Sequence, residues 1–199
     1  TSGALSRTEG SSKLVIKMAR ADGIAAADLK ISAVGGAPAR QTLLKDGKID
    51  DGMQPLPLNL EAEALGFTNL GWAGKYEPEW QFTTVNANGN WARDNPRVAI
   101  GFLRALLRGQ QLIWSNPEEA ARIAADALKT DMELARRSLA EAVRLGILDP
   151  KLEWSETGLQ RIYDSQQADG AIPAGHAFDI GRVTEPHYLR AAQAAAPQR

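Results

Sequence analysis

The strongest constraint on the fold is an alternation of helix-type and strand-type apolar patterns along the first part of the chain. A helical pattern that includes Leu14 and Met18 ends at Gly23, and the alternating stretch 29–34 then predicts a strand that runs into Gly35. Short loops between such elements favour an α/β fold with a mainly parallel sheet, because parallel strands need a crossover connection. The same alternation predicts two further helices over 38–47 and 58–65 and two short strands over 49–53 and 68–72.

The pattern changes near residue 80, beyond which helical periodicity dominates. The stretch 73–80 combines Gly74 and Pro78 with mixed charges, so we interpret it as the boundary between two parts, 1–79 and 80–199. The second part is therefore expected to be rich in helix. It is predicted to contain a strand over 81–86, helices that begin near Trp91, Asn95, Asn116, Thr130 and Ser155, and a wrapping or loose tail from Pro173.

Composition restricts the classes of function. The chain has 199 residues and a formal net charge of −1, so its charge gives no reason to expect a nucleic-acid partner. It contains no cysteine, which removes disulfides, thiolate nucleophiles and cysteine-ligated metals together. The first residues carry neither a basic start nor a hydrophobic run, as in a mature secreted form or a fragment.

The residue types that usually carry catalysis lack the spacing that catalysis needs. His176 and His187 have no partner at metal-ligand spacing, and we interpret both as incidental surface residues. Asp50 and Asp51 are adjacent, so in a strand their side chains point to opposite faces and suit a turn or strand edge better than acid–base work. The sequence therefore predicts no catalytic residue, no metal site and no cofactor.

Groups that could hold a small molecule lie at two predicted helix starts. Gly35 and Gly36 end a strand before a helix, so they could admit a ligand to free backbone N–H groups or simply form a tight turn. The start of the first helix is rich in hydroxyls that could bind a ligand or act only as helix caps, with Ser6 and Glu9 read as a capping box. These hydroxyl residues are Ser2, Ser6, Thr8, Ser11 and Ser12.

Aromatic residues cluster at the predicted boundary. Trp72, Tyr76 and Trp80 could line a ligand cleft with rigid apolar area or could pack in the core. The sequence leaves these two interpretations equal.

The order and spacing of several segments resemble one family of transport proteins, although no single motif decides the matter. The family comprises the substrate-binding proteins of ABC importers for nitrate, sulfonates, taurine and thiamine precursors. The segments that carry the resemblance are Val34–Gly36, Gly47–Asp50, Trp80–Thr84, Trp91–Pro96, Phe102–Leu106 and Asn116–Ala121.

The resemblance implies a two-lobed periplasmic-binding-protein-like fold that closes on a small molecule without altering it. Residues 1–79 would form a ligand-gripping α/β lobe, and 80–199 would supply the C-terminal part of the other lobe with a helical bundle and tail. The ligand would be a small organic anion or a heteroaromatic compound, such as a sulfonate, nitrate or a pyrimidine. The resemblance places ligand contacts in the hydroxyl-rich helix start and at Gly35, Gly36, Gln54, Pro55 and Trp80.

The resemblance also implies a setting: a monomer in the periplasm, or outside the cell tethered to the membrane, that delivers its ligand to an ABC permease. The family's first lobe begins well before Thr1, so a fragment or an incomplete record is expected. Two alternatives share the scaffold. One is an enzyme of the pyrimidine-precursor synthase or desulfinase type, and the other is the effector-binding domain of a transcription regulator.

Overall fold

The fold is an α/β arrangement with a small parallel sheet, as the sequence predicts. In the computed structural model, which describes residues 1–6 and 8–194, the strands are β1 (Ser2–Ala4), β2 (Ile31–Ala33) and β3 (Asp51–Gly52). They run parallel in the order β2-β1-β3, so β1 lies at the centre. Ser2 of β1 is in register with Ile31 on one side and with Asp51 on the other. The predicted strands over 29–34 and 49–53 are confirmed, although each is shorter than expected.

Helices make up most of the rest of the chain. Of the first three, α2 packs against β1 and β3. The ends of these helices at Gly23, Gly47 and Gly66 agree with the sequence, since each glycine has a positive φ that an L-residue rarely adopts. Short 3-10 turns cover Ala26–Asp28 and Ala73–Lys75. The helices of the described residues are α1 (Gly10–Ala21), α2 (Ala37–Lys45), α3 (Leu58–Ala64), α4 (Gly89–Asp94), α5 (Pro96–Ser115), α6 (Pro117–Leu128), α7 (Met132–Arg144), α8 (Glu156–Ala168), α9 (Ile180–Val183) and α10 (His187–Ala194).

The predicted capping box at the start of the first helix is wrong in the residue that caps. Glu9, not Ser6, is the N-cap of α1. The reason is register. Because α1 begins only at Gly10, the Ser6 hydroxyl is too far back and accepts from the backbone N–H of Thr8 at 3.3 Å instead. The helix predicted to begin near Thr130 is α7, and its N-cap is Asp131.

Two predicted strands, over 68–72 and 81–86, are absent from the sheet that the described residues form. Strong β formers need a neighbouring strand before they can bury their side chains. No strand of the described part pairs with either segment, and Phe82 and Val85 remain 61% and 59% exposed.

Within the described residues, the predicted tail from Pro173 to Ala194 is wrapping rather than loose. Its last helix, α10, packs against α5, where Leu189 and Ala192 join Leu107 in one buried cluster. Trp154 packs against the same cluster. A second cluster joins α6 to α7 through small residues and contains Ala121, Ala125 and Ala135.

The boundary stretch ties the sheet-containing part to the helical part. The buried Glu77 carboxylate accepts hydrogen bonds from Lys17 on α1 and from Arg161 on α8. Gly158 of α8 lies so close to this stretch that a Cβ there would be 2.3 Å from the Glu79 carbonyl oxygen. The division of the chain into two lobes at residue 79 stays a prediction.

Candidate functional site

The three parallel strands bring three loops to one edge of the sheet. Their carboxyl ends lead into residues 5–6 and 8–9, 34–36 and 53–57. The carboxyl edge of an open parallel sheet is where α/β proteins place their ligands. We call this region the carboxyl edge. It brings together most of the residues that the sequence and the resemblance single out.

A buried arginine that sequence reasoning missed crosses the carboxyl edge. Arg40 of α2 is only 6% exposed, and its guanidinium donates to the Met53 carbonyl oxygen at 3.1 Å and to the Gly35 carbonyl oxygen at 3.4 Å. The absence of side chains at Gly3 and Gly52 makes room for its stem, since a Cβ on Gly52 would lie 3.4 Å from Arg40 Cδ. Arg40 therefore links the loops that follow β2 and β3.

The charge of Arg40 is balanced within the same region. Burial lowers the pKa of Arg40, and the negative charge of Glu9 opposes that effect. The sequence did contain a signal for its burial, because Arg40 stands four residues before the buried Leu44 and so shares its helix face.

The start of α1 is occupied by its own carboxylate. Glu9 accepts from the backbone N–H of Ser11 at 2.8 Å and of Ser12 at 3.2 Å, and it also accepts from both serine hydroxyls. Burial raises the pKa of Glu9, but hydrogen bonds from Ser11, Leu5 and Ser12 outweigh it and hold the pKa below its ordinary value.

The five predicted hydroxyl residues differ in what they could reach. Ser11 and Ser12 are buried, and the Ser12 hydroxyl also donates to the Ser6 carbonyl oxygen. Ser2 is buried and donates to Asp51 Oδ2 at 2.9 Å. The space between β1 and α1, which these three serines help to line, leaves no room for a water molecule. Ser6 is half-buried and Thr8 is exposed, so these two are the hydroxyl residues open to a solute.

Amide groups near the loop after β3 have buried atoms without hydrogen-bond partners. Both side-chain polar atoms of Gln54 are unpartnered, as are Asn59 Oδ1 and Gln41 Oε1. Gln41 is only 4% exposed, and its Nε2 donates to the Leu58 carbonyl oxygen at 3.3 Å. Buried polar atoms in folded proteins are usually paired with protein or with ordered water, so these amide atoms have free capacity for a water molecule or a ligand. Pro55, also predicted from the resemblance, is exposed in the same loop.

Two aromatic rings lie at the start of α1. A Cβ on Gly10 would be 3.5 Å from Trp80 Nε1 and 3.4 Å from Phe82 Cε2. The structure therefore brings the predicted Trp80 beside Glu9, and it adds Phe82, which the sequence assigned to a strand. Trp72 is not part of this group, because its ring packs over Gly74.

The glycine pair follows β2 at the carboxyl edge. Gly35 has a φ of +97° and is half-buried, and its carbonyl oxygen receives the Arg40 guanidinium. Gly36 is exposed and is the N-cap of α2, with no side-chain hydrogen bond at that cap. Gly35 thus forms a turn that only glycine adopts easily. Gly36 begins a helix whose first N–H groups have no side-chain cap.

Other candidates lie away from the carboxyl edge. His187 is exposed and its Nδ1 lies 2.7 Å from Glu185 Oε1, while His176 is exposed in the segment before α9. Among residues 1–6 and 8–194, no group of three or more potential metal ligands comes together. Nor does the described part of the chain contain a helix long and apolar enough to cross a membrane.

A separate open groove of about 270 Å³ lies between α3 and α7. It contains none of the predicted site residues, and Arg144 on its wall is already paired with Glu141 at 2.6 Å.

Comparison with known proteins places this arrangement in a family. A family model described as NMT1/THI5 like matches residues 2–120, which run from β1 into the first turn of α6 and so include every group at the carboxyl edge. No curated protein and no solved structure matches the chain significantly. The match covers more than half of the sequence. The chain therefore belongs to the NMT1/THI5-like family, the binding proteins for nitrate, sulfonates, taurine and thiamine precursors.

Proposed function

We propose that this chain captures a small organic anion or heteroaromatic compound as the solute-binding component of an ABC importer. The observation that carries the proposal is the set of unpartnered buried amide atoms of Gln41, Gln54 and Asn59 beside the carboxyl edge. Family membership supports a solute-binding role in general. The identity of the solute, the importer and the periplasmic location belong to the proposal alone.

The amide of Gln54 suits a ligand that both donates and accepts hydrogen bonds. Its Nε2 offers donors and its Oε1 offers an acceptor, and both atoms lack partners. An unpaired buried polar group destabilises the ligand-free protein by about 1–3 kcal/mol, and a ligand that pairs it would recover that free energy. Pairing requires the loop around Pro55 to open towards the solute, because the Gln54 amide is covered when the protein is empty.

Aromatic rings supply the apolar part of the proposed site. Trp80 and Phe82 stand beside the start of α1, and Phe82 is 61% exposed, so its ring face is available to a planar solute. Further proposed contacts come from groups at the same edge that remain half-buried or exposed. These are Ser6, Thr8, Gly35, Gly36 and Pro55.

In the proposal, the boundary stretch acts as the hinge for closure of the protein around the solute. Residues 1–79 and 80–199 move as two bodies about residues 73–80 and clamp the solute between them. The protein acts as a monomer and delivers the solute to a permease in the membrane. Trp80 ends this stretch and Phe82 lies just beyond it, so a change in the stretch would alter the distance between their rings and α1.

The test is thermal unfolding of the 199-residue chain with two sets of probes. The uncharged set is 4-aminopyrimidine, cytosine and uracil, and the anionic set is methanesulfonate, nitrate and benzoate. A probe that binds the folded state should raise Tm with a saturable dependence on its concentration. Gln54→Met should abolish the rise, whereas the control Gln111→Met, on the exposed side of α5, should keep it. If no probe of either set raises Tm, the proposal is wrong.

Turnover is measured in the same samples, because the family also contains synthases. Each bound probe is incubated with the protein and followed by mass spectrometry. Recovery of unchanged probe is the expected result. Formation of a new product would show that the protein is an enzyme and not a binding protein.

A further inference from the structure

We infer that Glu9 acts as a built-in anion that excludes negatively charged solutes from the start of α1, so that the protein selects uncharged solutes. The inference rests on the proposed solute-binding function and narrows its ligand class. It concerns a residue that neither the sequence patterns nor the resemblance placed in the site.

The groups that would hold an anion at this helix start are already used. The free backbone N–H groups at a helix N-terminus, helped by nearby hydroxyls, are the usual cradle for a sulfonate, phosphate or carboxylate. Here the N–H groups of Ser11 and Ser12 and both of their hydroxyls donate to the Glu9 carboxylate. A carboxylate of the chain itself thus stands where the head group of an anionic solute would lie.

The Glu9 carboxylate also has little capacity for further hydrogen bonds. Two carboxylate oxygens offer about four lone-pair sites. Four hydrogen bonds from Ser11 and Ser12 already use these sites. Glu9 therefore serves as a hydrogen-bond acceptor for the start of α1, and its negative charge repels the negative charge of an anionic solute.

The nearest buried cation does not restore an anion site. Arg40 directs its guanidinium to the carbonyl oxygens of Met53 and Gly35, and the charge of Glu9 already acts on it. Beside the start of α1, the groups left for recognition include the uncharged Gln54 amide and the rings of Trp80 and Phe82, which suit a neutral heteroaromatic compound.

The experiment compares the wild-type chain with Glu9→Ala, Glu9→Gln and the control Glu153→Ala, which removes an exposed carboxylate. Each is titrated with methanesulfonate and with nitrate in calorimetry, against chloride at equal ionic strength. The wild type and the control should show no saturable binding of either anion. Glu9→Ala should gain saturable binding, because the donors of Ser11 and Ser12 become free, and Glu9→Gln should gain less, because its amide oxygen still accepts from them.

The outcomes separate this inference from the proposed function. Saturable binding of either anion to the wild type would overturn the inference while leaving a solute-binding role intact. Folded Glu9 variants, judged by circular dichroism, that gain no anion binding would also overturn it. If both variants fail to fold, the wild-type titrations decide, together with competition between methanesulfonate and a bound uncharged probe. An absence of response to uncharged and anionic probes alike would instead count against the proposed function.

Discussion

Arg161 of α8 forms an ion pair with Glu77, although 84 residues separate them in the chain. The Glu77 side chain is 6% exposed, and it accepts from Lys17 of α1 on its other oxygen. One carboxylate therefore joins the helix that follows β1 to a helix of the C-terminal part. This pairing is one of the contacts that hold α1, the boundary stretch and α8 together.

Replacing Glu77 by alanine should lower the free energy of unfolding by about 1–3 kcal/mol, the range for lost buried hydrogen bonds. The loss should stay below that of a fully buried pair, because Lys17 and Arg161 are 49% and 40% exposed and can return to water. Urea unfolding followed by tryptophan fluorescence measures it. The matched control is Asp126→Asn, which removes an exposed partner of Arg122 and should change stability by less than about 1 kcal/mol. Equal effects of the two variants would show that Glu77 has no special role.

Stability should fall in acid, and Glu77 should account for part of the fall. Burial raises the pKa of Glu77, but hydrogen bonds from Lys17 and Arg161 outweigh this and hold the pKa below its ordinary value of 4.5. A carboxyl with a lowered folded-state pKa stabilises the fold fully above the unfolded pKa and loses that contribution as pH falls through the folded one. Urea unfolding at pH 7, 5, 4 and 3 should therefore show a loss that begins below about pH 5, and Glu77→Gln should have a flatter profile. A variant profile parallel to that of the wild type would contradict the assignment.

Gln54→Met should stabilise the ligand-free protein. The substitution keeps a similar shape and removes two buried polar atoms that have no partner, and each such atom destabilises by about 1–3 kcal/mol. The expected gain in the free energy of unfolding is measured by urea titration without any probe. Gln81→Met is the opposite control. The Gln81 amide oxygen accepts a hydrogen bond from the Ser155 N–H at 2.8 Å, so loss of this hydrogen bond should lower the free energy of unfolding. A destabilised Gln54→Met would show that the amide is satisfied in solution.

Leu189→Ala should destabilise the protein by about 2–5 kcal/mol, the usual range for a buried leucine. Leu189 is 8% exposed and packs with Leu107 and Ala192, so the substitution leaves a cavity between α5 and α10. The control Val183→Ala lies in α9, where the side chain is 62% exposed, and should change stability by less than about 0.5 kcal/mol. Thermal and urea unfolding of both variants measure the difference. Equal stabilities would show that the packing of α10 on α5 does not contribute to the stability of the fold.

Much of the fold could be predicted because the signals are local. Gly23 and Gly47 end α1 and α2 where the sequence places those ends, and Asn116 begins α6 by accepting from the Glu119 N–H at 3.2 Å. These features depend on backbone conformation and on hydrogen bonds within one turn, which a short stretch of sequence specifies.

The errors arose where a distant partner decides the outcome. The β-forming segment 81–86 has no strand beside it in the described part of the chain, so its composition alone could not make it a strand. The segment from Pro173 shows no period until α10, and Leu189 is buried only because α5 lies beneath it. Neither relationship is visible within a window of sequence.

The residues of the candidate site also fall into two groups, those that the sequence singled out and those that only the packed structure revealed. The sequence and its resemblance to one family singled out the hydroxyl-rich start of α1, the glycine pair, Gln54 and Trp80, and the family match now covers all of them. Their roles as ligand contacts remain predictions. Sequence reasoning missed Arg40, because an arginine on a helix gives no sign of which carbonyl groups it will meet.

By itself the sequence determined most of the helices up to α8, the glycine-terminated ends of the first three, the parallel α/β character and the family, since each follows from local patterns or from their order along the chain. Only the tertiary structure decided that Glu9 fills the start of α1, that Arg40 is buried across two loops, and that Gln54 has no partner. Hydrogen bonding and burial in these cases depend on groups from separate elements that meet at the carboxyl ends of three strands. That meeting is a property of the packed sheet and not of any one segment.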